Sequence, residues 1–568
     1  MLNPLTLGRF LPDWEQLSLP QQVAQLIMVR TTGHLFDHQM CYPQWEASSA
    51  QLQHWIQELG IGGVILLGGG AAELALRTQQ LQAQSRIPLL MAADIEEGVG
   101  RRFDGATWMP PPLALGAIAQ TNLAQACAYA KQLGMVTAQE AKAIGLNWIL
   151  GPVADINNNP ENPAINVRAF GETPEVVIPL IEAFIQGTQG WGVLTAAKHF
   201  PGHGDTAIDP HLDLPLIPHQ RQRLEQVELA PFRAAIATQV SAIMTAHLQV
   251  PALDPDRPSS LSPRTLTHLL RQEMGFGGLI ITDALVMQAI TKHYGAAEAP
   301  VMALEAGSDV ILMPVDPPGA IAAICEAVNA GRLSRERIYQ SLERIWRAKQ
   351  VACAPPLPAG TGHAWERDAP PIFQPEAIAQ PEAIALCESV LTESMVIQWA
   401  KEADSPLLQV PEKDGDGAIA PTNLIVMDNL LDAPFLGMHT PAIKLPQQWG
   451  YRLQWFDNQV PGPLGSLTTS ATLLQLFIRA NPFQDTTNVV QIAKDCIQTL
   501  LKARQLQGLI LYGSPYVWAE LSPLLPPQIP AIFTYGQMPT AQGIALQKLS
   551  QLGLITHPGQ VVNSGFTD

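Results

Sequence analysis

Val193-Leu194-Thr195-Ala196-Ala197-Lys198-His199-Phe200-Pro201-Gly202-His203-Gly204-Asp205-Thr206, with Asp209-Pro210-His211 just beyond, runs from an apolar strand into a charged turn. The first five residues read as a strand covered on both faces. The fourteen residues from Lys198 to His211 hold three histidines, two aspartates and a lysine. Titratable groups at the end of a buried strand are costly unless they do chemistry or bind something. Pro201 and the glycines let the backbone turn sharply, so that these side chains converge.

Outward from this stretch the same design repeats. Short apolar runs alternate with helix-length amphipathic segments over about the first 350 residues, the rhythm of a parallel sheet with crossover helices. Eight strands are expected: Gln25–Val29, Gly63–Leu67, Leu89–Ala92, Trp148–Val153, Val193–Ala197, Ala242–Ala246, Leu279–Thr282 and Asp309–Met313. Eight such units predict a (β/α)8 TIM barrel. Polar residues follow the strands: Asp94 the third, Asp155 the fourth, Lys198 and His199 the fifth, His247 the sixth, Asp283 the seventh. A barrel brings these ends to one face, where active sites form. A doubly wound open sheet would also gather them at one edge.

The domain reading is a barrel over residues 1–353, a Pro-rich linker over 354–384 and a smaller C-terminal α/β sandwich over 385–568. In the last part, Leu424–Met427, Leu453–Phe456, Leu509–Tyr512 and Ala531–Tyr535 read as strands and Asn488–Leu506 as a helix. The chain of 568 residues is 47% hydrophobic and 15% charged, with a net charge of −17 that argues against a nucleic-acid partner. Six scattered cysteines form no CxxC pair and suit a reducing compartment. No signal-peptide pattern and no run of membrane-spanning length is seen, so the expected location is cytoplasmic, away from membranes. Nothing here fixes an oligomeric state.

Taken residue by residue, the chemistry stays open. Asp283, at the end of an apolar strand, suits a nucleophile, a metal ligand or a helix N-cap. Asp209, one residue from His211, can orient the imidazole and raise its pKa for general acid work. The alternative for this pair is a surface turn. His199, His203, Asp205, Asp209 and His211 match no standard zinc spacing. Asp94, Glu96, Arg101, Arg102 and Arg168 suit hydroxyl-rich ligands or a rim ion-pair network. His247 suits a satisfied core histidine.

Together these segments resemble glycoside hydrolase family 3, and within it the bacterial β-N-acetylglucosaminidases (β-N-acetylhexosaminidases) of two-domain type. The segments that carry the likeness are Lys198 to Thr206 with Asp209-x-His211, Thr282-Asp283-x-Leu285-x-Met287, Arg168-x-Phe170-Gly171, Asp94-x-Glu96, Ala246-His247 with Pro251-Ala252-Leu253-Asp254, and Leu270-Arg271 through Gly275-Phe276. The resemblance implies Asp283 as catalytic nucleophile and His211, paired with Asp209, as acid/base. It implies Asp94, Arg102, Arg168, Lys198 and His199 as ligands of the terminal sugar's hydroxyls. It implies no metal and no cofactor. The expected activity is that of a retaining exo-β-N-acetylglucosaminidase acting on small carbohydrates, cell-wall fragments among them. Family 3 β-glucosidase, β-xylosidase or glycoside phosphorylase activity is the nearest enzymatic alternative; an inactive sugar-binding protein and a metallohydrolase are the others. Glu97 and Val99 stand where the family usually carries Gly and Arg, and Pro210 where it carries a small residue.

Overall fold

The computed structural model describes residues 11–40, 42–206, 214–353, 374–399, 420–430, 433–457, 470–479 and 486–554. It divides into two compact units, Met1–Leu386 and Cys387–Asp568. Residues 354–373, most of the stretch read as linker, lie outside the described residues; the helix Pro381–Ser394 begins before that stretch ends.

The first unit is an eight-stranded parallel sheet: β1 (Ile27–Thr32), β2 (Gly63–Leu67), β3 (Leu90–Ala93), β4 (Trp148–Ile149), β5 (Leu194–Phe200), β6 (Ala242–Thr245), β7 (Leu279–Ile281) and β8 (Ile311–Leu312). The order β7-β6-β5-β4-β3-β2-β1-β8 follows the chain around a ring. The ring closes where Asp309 and Val310 donate to the Ile280 carbonyl and Thr282 donates to that of Val310. Helices Ala71–Gln84, Leu123–Ala143, Pro174–Thr188 and Glu298–Ala306 are among the crossovers. This is the (β/α)8 architecture expected from the apolar rhythm.

Only β2 keeps its expected bounds; β3 is shifted by one residue, β4, β6, β7 and β8 are shorter than expected, and β1 and β5 differ for a visible reason. Gln25 caps the helix Leu19–Ala24 and binds the Gly60 carbonyl through its side chain, so β1 starts at Ile27. β5 runs through Lys198 and His199 to Phe200, all buried, because the Lys198 N–H donates to the Pro152 carbonyl and Phe200 pairs with Thr245. The two polar residues therefore belong to the barrel wall rather than to the loop after it.

The amino-terminal end of the barrel is locked by charge. Asp309, fully buried before β8, receives Arg271 at 2.7 Å, Arg344 at 3.0 Å, Arg337 at 3.3 Å and the Ser341 hydroxyl at 2.9 Å. Burial pulls the Arg271 guanidinium down to about 10. Polar groups at this end of a barrel serve stability.

Lys349, on the helix Arg335–Ala352, is fully buried with its Nζ 2.6 Å from Gln25 Oε1. Burial pulls it down to about 8. A lysine whose folded pKa lies below its unfolded value of about 10.4 disfavours folding at neutral pH, so stability should rise with pH from about 8 to about 10. Lys349→Met is expected to stabilise the protein by about 2 kcal/mol at pH 7, after allowing about 1 kcal/mol for the bond lost to Gln25. Urea titrations at pH 7 and pH 10 test this. A variant less stable at pH 7, or an unchanged pH slope, would refute it.

The second unit holds a six-stranded sheet of β9 (Val396–Gln398), β10 (Thr422–Met427), β11 (Arg452–Asp457), β12 (Thr472–Ile478), β13 (Leu506–Gly513) and β14 (Ala531–Thr534). The order is β11-β10-β12-β13-β14-β9, parallel except for β9 at the edge. The helix expected over Asn488–Leu506 spans Thr487–Lys502, and Leu506 opens β13. β12 was not anticipated. Gln475 interrupts its apolar run, yet it is fully buried: its Nε2 donates to Asn423 Oδ1 and the Ala442 carbonyl, each at 2.7 Å, and its Oε1 accepts from Tyr512 Oη at 2.9 Å. With its partners supplied, the polar residue is tolerated in the core. Among the described residues no helix is long and apolar enough to cross a membrane.

Candidate active site

The carboxyl ends of β3, β4, β5 and β7 supply the candidate residues. Lys198 lies in β5 with its side chain 1% exposed, so its ammonium needs compensation. It is held between two carboxylates, Asp94 at 2.7 Å and Glu96 at 2.5 Å. Glu96 also receives Arg168 in a forked pair, Nε at 2.9 Å and Nη2 at 2.8 Å. Arg168 Nη1 donates to the Ala164 carbonyl at 2.8 Å, and Arg102 Nε to the backbone carbonyl of Asp94 at 3.1 Å. Four of the five expected hydroxyl ligands, Asp94, Arg102, Arg168 and Lys198, are thus joined in one network through Glu96.

The electrostatics follow from the pairing. Burial pushes the Asp94 and Glu96 carboxyls up, but the cations beside them outweigh it, and Glu96 ends well below the ordinary carboxylate range. Burial pulls Lys198 and Arg168 down, and the same carboxylates return them above their usual values. All four groups are charged at neutral pH. Such fixed charges can grip several hydroxyls with little reorganisation.

His199, the fifth expected ligand, is placed by Asp155. This carboxylate, 1% exposed, accepts from the His199 ring Nδ1 at 2.8 Å, the His199 backbone N–H at 3.1 Å and the His203 backbone N–H at 2.7 Å. Burial pushes Asp155 up; His199 and His203 outweigh it and hold it low. A charged Asp155 fixes the proton on Nδ1 and leaves Nε2 of His199 as an acceptor. The Lys198–His199 peptide is cis, which no sequence signal announced.

The turn after β5 is held against the segment after β4. Asn162 Nδ2 donates to the carbonyls of His203 at 2.8 Å and Gly204 at 2.9 Å. Gly204 passes so close that a Cβ there would meet the Ile156 carbonyl oxygen at 1.5 Å, so only glycine fits. The His203 ring contacts Thr206 Oγ1 through Nδ1 at 3.0 Å, and burial drives its pKa down to about 4. The charge of Asp283 is among those acting on it. Asp209 and His211 lie outside the described residues.

Asp283 follows β7 and is half-buried, its Oδ1 accepting the Ala284 N–H at 2.7 Å. The capping alternative falls away, because the next helix starts at Gln288 with Met287 in the cap position. His247 is a satisfied core histidine, bound to Ser260 Oγ at 2.7 Å and to the Ala284 carbonyl at 3.1 Å, which steadies the residue next to Asp283. Asp205 pairs with His219 at 2.8 Å. Among the described residues no three His, Cys, Asp or Glu side chains gather as a metal-binding group.

A family model, the glycosyl hydrolase family 3 N-terminal domain, matches residues 18–348, over half of the 568-residue chain. The chain belongs to glycoside hydrolase family 3. The bacterial glycosyl hydrolase family 3 C-terminal domain matches residues 417–551. The chain is 34% identical over 330 residues to the β-hexosaminidase A of Pseudoalteromonas piscicida, a match covering 53% of this chain and 55% of that one. It therefore spans little more than half of that relative. Identity to the β-hexosaminidase of Nitrosomonas eutropha is 36% over 310 residues, 53% of this chain and 87% of that one. A solved family 3 β-N-acetylglucosaminidase from Paenibacillus sp. superposes with a TM-score of 0.74 at 29% identity, covering 96% of this chain and 98% of that one.

In this family 3 barrel the departure at Glu97 is accommodated. Its side chain is buried against the Trp108 indole N–H at 3.5 Å and Arg101 at 3.9 Å. Arg101 in turn lies over the Trp108 ring. Val99 is fully buried. Sequence reasoning placed Glu96 in the charged rim cluster without its partners and gave Asp155 no role, although Asp155 stands at a strand end, which was the signal available. Asn162 carried none.

Proposed function

We propose that this chain is a retaining exo-β-N-acetylglucosaminidase that removes terminal β-linked N-acetylglucosamine from small cell-wall-type fragments in the cytoplasm. The observation that carries the reading is the Asp94–Lys198–Glu96–Arg168 network. It lies at the barrel end that also holds Asp283, in a chain whose barrel matches proteins named β-hexosaminidase. The network and His199 hold the sugar hydroxyls. Asp283 attacks the anomeric carbon while His211, oriented by Asp209, protonates the departing oxygen, and a glycosyl-Asp283 ester forms. His211 then takes a proton from water, which displaces Asp283 and releases the sugar with retained configuration. A histidine acid suits an anionic aglycone, since its charged form attracts the group that a carboxylate would repel.

The test is nitrophenol release from the β-N-acetylglucosaminide and the β-glucoside, with and without EDTA and with and without phosphate. The acetamido sugar should be turned over at least about 100-fold faster, unaffected by EDTA, with free sugar as product; His211→Ala should lose about 10²–10⁴-fold. Faster glucoside turnover, or a glycosyl phosphate as product, would overturn the substrate or the reaction assigned here.

A further inference from the structure

Glu140, near the end of the helix Leu123–Ala143, is a carboxylate only 2% exposed and outside the site described above. It accepts three hydrogen bonds, all from neutral donors. Two come from Thr107: the hydroxyl reaches Oε1 at 2.6 Å and the backbone N–H reaches Oε2 at 3.0 Å. The third comes from the Ala379 N–H, 239 residues along the chain, to Oε1 at 2.8 Å. Ala379 ends the short segment 374–379, which lies in the first unit and leads into the helix Pro381–Ser394. The segment is docked by the buried Ile378 side chain and by this bond. Ala379 has φ 48°, a left-handed conformation that disfavours a residue with a Cβ unless a contact holds it.

Thr107 belongs to the loop after β3, which also carries Asp94, Glu96 and Arg102. That loop crosses itself at Thr107. The Gly100 N–H donates to the Thr107 carbonyl at 2.9 Å, and the Met109 N–H to the Glu97 carbonyl at 2.8 Å. Gly100 passes so close that a Cβ there would lie 2.2 Å from the Ala106 carbonyl oxygen and 2.5 Å from the Thr107 carbonyl carbon. At such packing a shift of Thr107 moves Gly100, two residues before Arg102, and loosens the support of Glu97, next to Glu96. The charge of Glu140 has no cation among these three partners, so it is costly to bury; burial pushes the carboxyl above its ordinary value even though the hydrogen bonds oppose this. A glutamine would not serve instead. It has one accepting oxygen, and its amide would oppose either the Thr107 N–H or the Ala379 N–H.

We infer that Glu140 is a positioning residue that couples the docking of residues 374–379 to the shape of the loop carrying Asp94, Glu96 and Arg102. With the segment docked, Glu140 is fully satisfied and holds Thr107, and the loop keeps its grip on Lys198 and Arg168 through Glu96. With the segment displaced, the carboxylate loses a donor and the loop loses its outer support. The inference rests on the proposed role of Arg102 and of the ion network around Glu96.

The experiment measures kcat and KM on p-nitrophenyl β-N-acetylglucosaminide for wild type, Glu140→Gln, Ala379→Pro and the double variant. Ala379→Pro removes the donor and cannot adopt the positive φ, yet it leaves both Thr107 bonds available to Glu140. Each single variant should raise KM about 5- to 20-fold with kcat within about 3-fold, and the double variant should match Glu140→Gln within about 2-fold. By linkage, N-acetylglucosamine should slow hydrogen exchange of the peptide spanning residues 374–380 at least about 3-fold in wild type and not in Glu140→Gln. The exchange in wild type needs neither a variant nor turnover, so it decides the matter even where a substitution unfolds the chain. An unchanged KM in either single variant, losses that multiply in the double variant, or wild-type exchange indifferent to the sugar would each overturn the inference. If wild type turns over only plain glucosides, the proposed substrate falls, and the same measurements with the glucoside and glucose decide the role of Glu140.

Discussion

Asp283→Ala is expected to lower kcat by about four orders of magnitude or more while leaving the fold intact. The fold should survive because Asp283 is half-buried and caps no helix, its Oδ1 accepting the N–H of the adjacent Ala284. Neighbouring Thr282 does the structural work at this strand end, its hydroxyl accepting the Leu312 N–H at 2.9 Å. Loss of the carboxylate removes the atom proposed to form the glycosyl ester, and nothing else in the network can replace it, since Asp94 and Glu96 are committed to Lys198 and Arg168. Added azide should then attack from the vacated face and give the α-glycosyl azide, readable from the anomeric coupling constant by NMR. A melting temperature within about 2 °C of wild type would confirm that activity, not folding, was lost. Near-normal turnover, or a β-azide product, would remove Asp283 from the nucleophile's role.

The barrel was legible because its strands are buried on both faces and so read as unbroken apolar runs ending in polar residues. β12 and β9 escaped for opposite reasons. In β12 a polar residue, Gln475, sits in the core with its partners supplied by β10 and β13, which no local pattern reveals. β9 is a three-residue edge strand, Val396-Ile397-Gln398, largely exposed and too short for a period. At the site, strand-end position marked Asp94, Lys198, His199 and Asp283. The partnership of Glu96 with Arg168 and that of Asp155 with His199 join residues 72 and 44 positions apart, beyond any spacing rule. The reading of Asp209 and His211 rests on the sequence.

Asp155→Asn should cost about 100- to 1,000-fold in kcat/KM and about 2–3 kcal/mol of stability at pH 7, although it changes one atom. The carboxylate accepts three N–H groups, two from the backbone and one from the His199 ring. An asparagine offers one oxygen. If that oxygen keeps the backbone N–H groups, its amide nitrogen faces His199 Nδ1, and the imidazole must move its proton to Nε2. The ring nitrogen proposed to meet the sugar then changes from acceptor to donor. If the oxygen instead keeps the ring, the amide nitrogen opposes a backbone N–H and the turn loosens. Either way the loss exceeds that of one hydrogen bond, because the turn carrying His203 hangs on the same carboxylate. The stability difference carries a pH signature. Asp155 titrates below the ordinary carboxylate range, so its contribution is full above about pH 4 and is lost as pH falls through its lower folded value; the gap between wild type and variant should close in acid. Histidine ¹⁵N shifts report the tautomer directly. An unchanged His199 tautomer with unchanged kcat/KM would show that Asp155 merely fills space, whereas a switched tautomer with intact stability at pH 7 would separate its electrostatic role from its structural one.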